Sequence, residues 1–172
     1  GALLHAAEHL AHPLHAHILG HAVSCGLQRG IEHRLQDTRS ISHIQEDDTA
    51  LVLYALNQHI QKSQDFEFLQ SMYESFIKKA AQFLCDFRED ETGLPLPSYD
   101  LWEERYGVLT FTTAAVSAGL SAVSQLLMDP EDRELQADCK QAALDMKRAM
   151  EEHLYRPDLK RFARMLTRKP DG

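Results

Sequence analysis

The segment TFTTAAVSAGLSAVSQLLMDPEDRELQADCKQAALDMKRAMEEHL, residues 110–154, decides the fold class. Its first part, Thr110 to Met128, reads as a helix with Phe111, Ala115, Ala118, Gly119, Ala122, Val123 and Leu126 on the buried side. Thr112, Thr113, Ser117, Ser121 and Ser124 are small, which lets a neighbouring helix approach closely. Asp129-Pro130 stops this helix and starts the next, with Asp129 as N-cap and Pro130 at the first helical position. The next helix runs to about Leu154 with a stripe of Leu135, Cys139, Ala142, Met146, Ala149 and Met150, and with charges opposite. This is an inner helix followed by an outer one.

The same unit stands upstream. A helix from about Thr49 to Gln61, capped by Asp48 or Thr49, has Ala50, Leu53, Leu56 and Ile60 on one face, and Leu51 and Val52 extend its apolar surface. A second helix from about Phe66 to Phe87 buries Leu69, Met72, Tyr73, Phe76, Ile77, Ala80 and Leu84. Between the two pairs lies a stretch from Arg88 to Leu109 in which Pro95 and Pro97 forbid helix. It carries Tyr99, Trp102 and Tyr106, so it is expected to be an ordered functional loop. Phe162 to Leu166 is expected to hold a short strand. The expected class is all-α: antiparallel helix pairs forming part of a toroid, with one long loop.

Outward from this core, composition narrows the function. The chain has 172 residues, a net charge of −8 and 44% hydrophobic residues, enough for a core. The acidic balance disfavours nucleic acid and anionic membrane as partners. No apolar run is long enough to span a bilayer. Cys25, Cys85 and Cys139 are far apart in sequence and odd in number, so no disulfide framework is expected and a reducing compartment is the default. No signal peptide is visible; a cytoplasmic location is favoured.

Residues 1–44 differ from the rest and are set apart as a segment of uncertain status, ahead of a domain over 45–172. They hold eight of the ten histidines. His5-Ala6-Ala7-Glu8-His9 matches the spacing of an inverted zinc-peptidase motif, but Pro13 lies close by and no third ligand has helix spacing. No metal and no cofactor are expected, and the segment is expected to form no catalytic site.

The chemistry concentrates in Leu94-Pro95-Leu96-Pro97-Ser98-Tyr99-Asp100-Leu101-Trp102-Glu103-Glu104-Arg105-Tyr106-Gly107. Paired carboxylates beside a Trp suit sugar chemistry. Glycosidic cleavage needs a carboxylic acid that protonates the leaving oxygen, and an aromatic ring stacks on a pyranose face. The alternative is a solvated surface loop whose Glu pair meets Arg105. Asp47 has a structural alternative too, as a cap of the first helix.

From Ile44 to Gly172, about three quarters of the chain, the sequence resembles glycoside hydrolase family 15, the glucoamylase family. Three runs carry the resemblance: Gln45-Glu46-Asp47-Asp48-Thr49-Ala50-Leu51-Val52-Leu53, Gly93 through Arg105, and Tyr155 through Arg164. The resemblance implies an (α/α)6 barrel, of which these helices are a part, and exo-cleavage of α-glucosidic bonds of glucans or oligosaccharides with inversion. It implies that Glu103 is the general acid and that Glu104 contacts substrate. Asp100 and Trp102 orient the acid and line the pocket, and Asp47 bonds hydroxyls of the terminal glucose. The fungal members carry Arg where this chain has Glu46. The family's general base is a Glu far downstream, and no residue here takes that role, so the chain alone is expected to be inactive and the remaining helices are expected from further sequence. Trehalase of the same family and a non-catalytic helical remnant are the alternatives.

Overall fold

The computed structural model describes residues 44–100 and 102–167. Four helices dominate it. α1 is Glu46–Ser63. α2 is built of Phe66–Met72, a π-helical turn over Tyr73–Ile77 and Lys78–Asp86. α3 is Thr110–Leu126. After a 3-10 turn at Pro130–Asp132, α4 is Arg133–Ala149 and runs into a second π turn, Met150–Leu154. None of the described helices is long and apolar enough to cross a membrane.

Side-chain contacts give the directions of packing. Thr112 meets Asp47 near the starts of α3 and α1, and Gln61 donates to Gln125 at 2.8 Å near their ends, so these two helices run parallel. α4 runs antiparallel to α3: Ser117 donates to the Ala143 carbonyl at 3.0 Å, while Gln136 reaches the Ser124 and Leu127 carbonyls at 3.0 and 2.7 Å. The Tyr73 hydroxyl of α2 donates to Asp132 at 3.0 Å, and Lys78 pairs with the same carboxylate at 3.0 Å. α2 and α4 therefore lie side by side behind α1 and α3. The core between these layers includes Leu53, Ile77, Leu84, Leu120, Val123 and Met146, each wholly buried. Burying one such side chain contributes about 1.5–3 kcal/mol.

Several expectations are corrected. The chain is mostly helical, as expected, but a small sheet is added: the 88–109 stretch, read as loop, contributes two strands, and the strand expected at Phe162 to Leu166 is present as two short ones. β1 (Ser98–Tyr99), β2 (Tyr106–Leu109) and β5 (Met165–Leu166) form an antiparallel sheet in the order β1-β2-β5. β3 (Tyr155–Arg156) and β4 (Arg161–Phe162) form a separate hairpin. α1 begins at Glu46, with Gln45 at the N-cap position and no side-chain cap there, so neither Asp48 nor Thr49 caps it. Its first turn carries three acids instead, which the positive helix N-terminus favours. Asp129 does cap the turn that leads into α4, accepting from the Glu131 amide at 3.0 Å with Pro130 next in line.

The π turn in α2 is also new. It absorbs one extra residue and keeps Tyr73, Phe76 and Ile77 facing inward together. On α3, Phe111 and Ala118 are exposed, while Thr112, Thr113, Val116 and Leu120 are buried. Leu51 and Tyr54 on α1 are exposed as well. The apolar surface of the two inner helices thus exceeds what α2 and α4 cover.

The closest approach between α1 and α3 is at Gly119. A Cβ there would lie 2.7 Å from the Ala50 carbonyl oxygen and 2.8 Å from its Cα and Cβ. Two of these are backbone atoms inside α1 and the third is a Cβ that cannot rotate away, so the helices themselves must move apart. Gly119→Ala is expected to destabilise the chain by about 1–3 kcal/mol despite the better helix propensity of Ala. The readout is the denaturant midpoint; an unchanged midpoint contradicts the close packing.

Candidate active site

Two distant pieces of sequence meet at the end where α1 and α3 begin. The first is the start of α1. Glu46 and Asp47 are both buried, at 1% and 0% exposure. The Ser98 hydroxyl of β1 donates to Glu46 Oε1 at 3.0 Å, and the Thr112 hydroxyl of α3 donates to Asp47 Oδ2 at 3.2 Å. Glu46 Oε2 and Asp47 Oδ1 are buried with no hydrogen-bond partner among the described residues. Burial is the main cause that pushes the Glu46 carboxyl up to about 8, with the neighbouring Asp47 charge adding to it against the Ser98 hydrogen bond. Asp47 is raised as well, by burial first, while the hydrogen bond from Thr112 opposes. Asp48, on the exposed side, is raised by partial burial and then by the charge of Asp47. Buried carboxylates in such a place hold their protons or receive donors from a ligand.

The second piece is the turn between β1 and β2. Tyr99 pairs with Tyr106 across the strands, and their rings meet edge to face at 5.2 Å. The turn is tightened by the Glu103 amide, which donates to the Asp100 carbonyl at 2.7 Å. The buried carboxylate of Asp100 organises the rest. Its Oδ1 accepts from the amides of Glu104 and Arg105 at 2.8 and 3.2 Å, and its Oδ2 from Arg164 at 3.3 Å. Burial pushes this carboxyl up, but those amides and the Arg164 guanidinium outweigh it and hold the group below the usual range. Asp100 therefore stays ionised as a fixed acceptor.

This scaffold presents Trp102, Glu103 and Glu104 outward, with Arg105 and Tyr106 also exposed beside them. Trp102 is 73% exposed, and Glu103 and Glu104 are both exposed. Glu103 has φ +56, in the left-handed region that a non-glycine residue seldom occupies. Residues in that region persist where surrounding bonds fix them, as those of Asp100 do here. Trp102 is not a core anchor, whereas Tyr99 and Tyr106 pack on each other.

The two pieces are joined directly. Gln45 donates through its side-chain amide to the Asp100 carbonyl at 3.3 Å, and Ser98 joins β1 to Glu46. Asp47, Asp100, Trp102, Glu103 and Glu104 thus belong to one end of the molecule. The sequence reading missed the supporting residues Gln45, Ser98, Thr112 and Arg164. Arg164 reaches the turn because β5 lies against β2, and Gly107 permits this: a Cβ at Gly107 would lie 2.5 Å from the Leu166 carbonyl. The only signal for these contacts was that all four residues lie within or just after the quoted runs. The His-rich segment and its His5–His9 spacing lie outside the described residues, and among the described residues no cluster of three or more metal-ligating side chains occurs.

Comparison with known proteins bears on the family. The profile of glycosyl hydrolases family 15 matches residues 29–165. An uncharacterized glycosyl hydrolase of Methanocaldococcus jannaschii is 29% identical over 126 residues, which is 73% of this chain and 20% of that protein. The chain therefore spans about a fifth of that relative's length. No solved structure matches the chain significantly. With the matched region covering both motif-bearing pieces and all four helices, the chain belongs to glycosyl hydrolase family 15.

Proposed function

We propose that this chain contributes the acid-bearing part of an inverting, exo-acting α-glucosidase of glucoamylase type, acting on α-glucans or their oligosaccharides. The observation that supports this reading is the meeting of residues 45–47 with the 98–105 turn, through Gln45 to Asp100 and Ser98 to Glu46. In this reading Glu103 protonates the glycosidic oxygen as the bond to the anomeric carbon breaks. Glu104 contacts the sugar. The unpartnered Oδ1 of Asp47 accepts a hydroxyl of the terminal glucose. The exposed Trp102 ring lies against the apolar face of a pyranose. Asp100 positions the acid through the backbone of the turn rather than touching substrate.

The general base comes from sequence beyond this span, since inversion needs a second carboxylate about 6.5–9.5 Å from the acid with a water between them. Further helices of the ring would cover Leu51, Tyr54 and Phe111. The test is substitution of Glu103 and Glu104 in the enzyme that contains this segment together with its downstream portion. Turnover that depends on Glu103 supports the assignment. Turnover that depends on Glu104 and survives at Glu103 reverses it.

A further inference from the structure

Cys85 and Cys139 are separated by 54 residues, yet their sulfurs lie 3.5 Å apart. Cys85 stands in the last turn of α2 and Cys139 in α4, and both are free thiols. Their surroundings differ. Cys139 is wholly buried in the helical core. Cys85 is half-buried and forms part of the wall of an open cleft of about 440 Å³, with Arg88, Glu89, Asp145 and Arg148 around it. Cys85 is thus the member of the pair that reaches the cleft, and Cys139 lies directly behind it. The electrostatics follow the same order. The contact with Cys139 and then the Arg88 charge lower the Cys85 thiol, against burial, while that same contact and burial push the Cys139 thiol up. A thiolate is the attacking species in disulfide exchange, so the exposed member is also the activated one.

We propose that Cys85 and Cys139 form a thiol–disulfide pair that locks α2 to α4 when the chain meets a disulfide oxidant of the glutathione class. Cys85 thiolate attacks one sulfur of oxidised glutathione, breaking its S–S bond and releasing one glutathione thiolate. The Cys139 thiol then gives up its proton and attacks the Cys85 sulfur of the mixed disulfide, releasing the second glutathione thiolate. One disulfide and two protein thiols become one protein disulfide and two glutathione thiols, with the two protein protons passing to the released thiolates. The sulfurs must close from 3.5 Å to a bond of about 2.0 Å. The link closes a 54-residue interval that contains the β1–β2 turn and α3, so it restrains the unfolded chain strongly.

The experiment uses the full chain with Cys25→Ser, which leaves only these two thiols. It is exposed to oxidised glutathione and examined by intact mass and by non-reducing peptide mapping. The expected product has lost two hydrogens and yields the Cys85 and Cys139 peptides joined within one copy. Its melting temperature rises by about 5–10 °C and returns on reduction. Cys139→Ala in the same background is expected to stop at a glutathione adduct on Cys85. Cys85→Ala is expected to keep Cys139 as a thiol over the same exposure. Two surviving thiols, a persistent adduct on Cys85 with Cys139 present, or a bond between copies each overturn the pairing.

Discussion

In the enzyme that contains this segment, Glu103→Gln is expected to reduce kcat by about 10²–10⁴-fold while leaving sugar binding nearly intact. The amide keeps the shape of the side chain and its place on the turn but has no proton to give to the leaving oxygen. Because the proton moves in the transition state, its loss falls on kcat rather than on ground-state affinity. Glu104→Gln is expected to act the other way, raising KM more than it lowers kcat. Substrates with a good leaving group, which depart without protonation, separate the two roles further. They are expected to recover much of their turnover in Glu103→Gln and little in Glu104→Gln. Steady-state kinetics on maltooligosaccharides and on an activated aryl glucoside make the comparison. Equal losses on both substrates in Glu103→Gln would remove the acid from that position.

The expected result rests on a turn whose components were unevenly legible. Trp102-Glu103-Glu104 stands out in sequence because its chemistry is carried by the side chains themselves. What holds it does not stand out. Asp100 fixes the turn by accepting two backbone amides, and Arg164 neutralises it from 64 residues away. Such contacts depend on β5 lying against β2, and a two-residue strand leaves almost no periodic pattern to read. The helices are the opposite case. The four apolar stripes and the Asp129-Pro130 boundary were plain, since 3.6-residue periodicity and a proline-marked start are local signals. The misreadings on α1 and α3 share one cause. Leu51, Phe111 and Ala118 are apolar, and periodicity assigns apolar residues to a core whether or not a neighbour is there to cover them. The Cys85–Cys139 contact was hidden for a related reason, because spacing along the chain carries no information about which helices stack.

Glu46 offers the second large effect, on stability and its pH dependence. A glutamic acid ordinarily titrates near 4.5, and burial holds this one at about 8 in the folded chain. Below about pH 4.5 the group is protonated in both states, and it costs nothing. Between the two values the folded chain holds a proton that the unfolded chain has released, so folding becomes progressively less favourable as pH rises. Above about pH 8 both states are ionised and the full penalty is present. A difference of this size is worth about 5 kcal/mol, comparable with the whole stability of many domains. Stability is therefore expected to fall as pH rises from about 4.5 to 8, with Asp47 and Asp48, also raised, tilting the curve the same way at lower pH. Glu46→Gln is permanently neutral, and its carbonyl still accepts from the Ser98 hydroxyl that now serves Oε1. It is expected to flatten most of the slope and to exceed the wild type in stability at pH 8 by several kcal/mol, with little difference near pH 4.5. Urea midpoints taken across this range test the point. Parallel curves for the two proteins would show that the Glu46 carboxyl titrates alike in the folded and unfolded chain, and that burial does not hold it up.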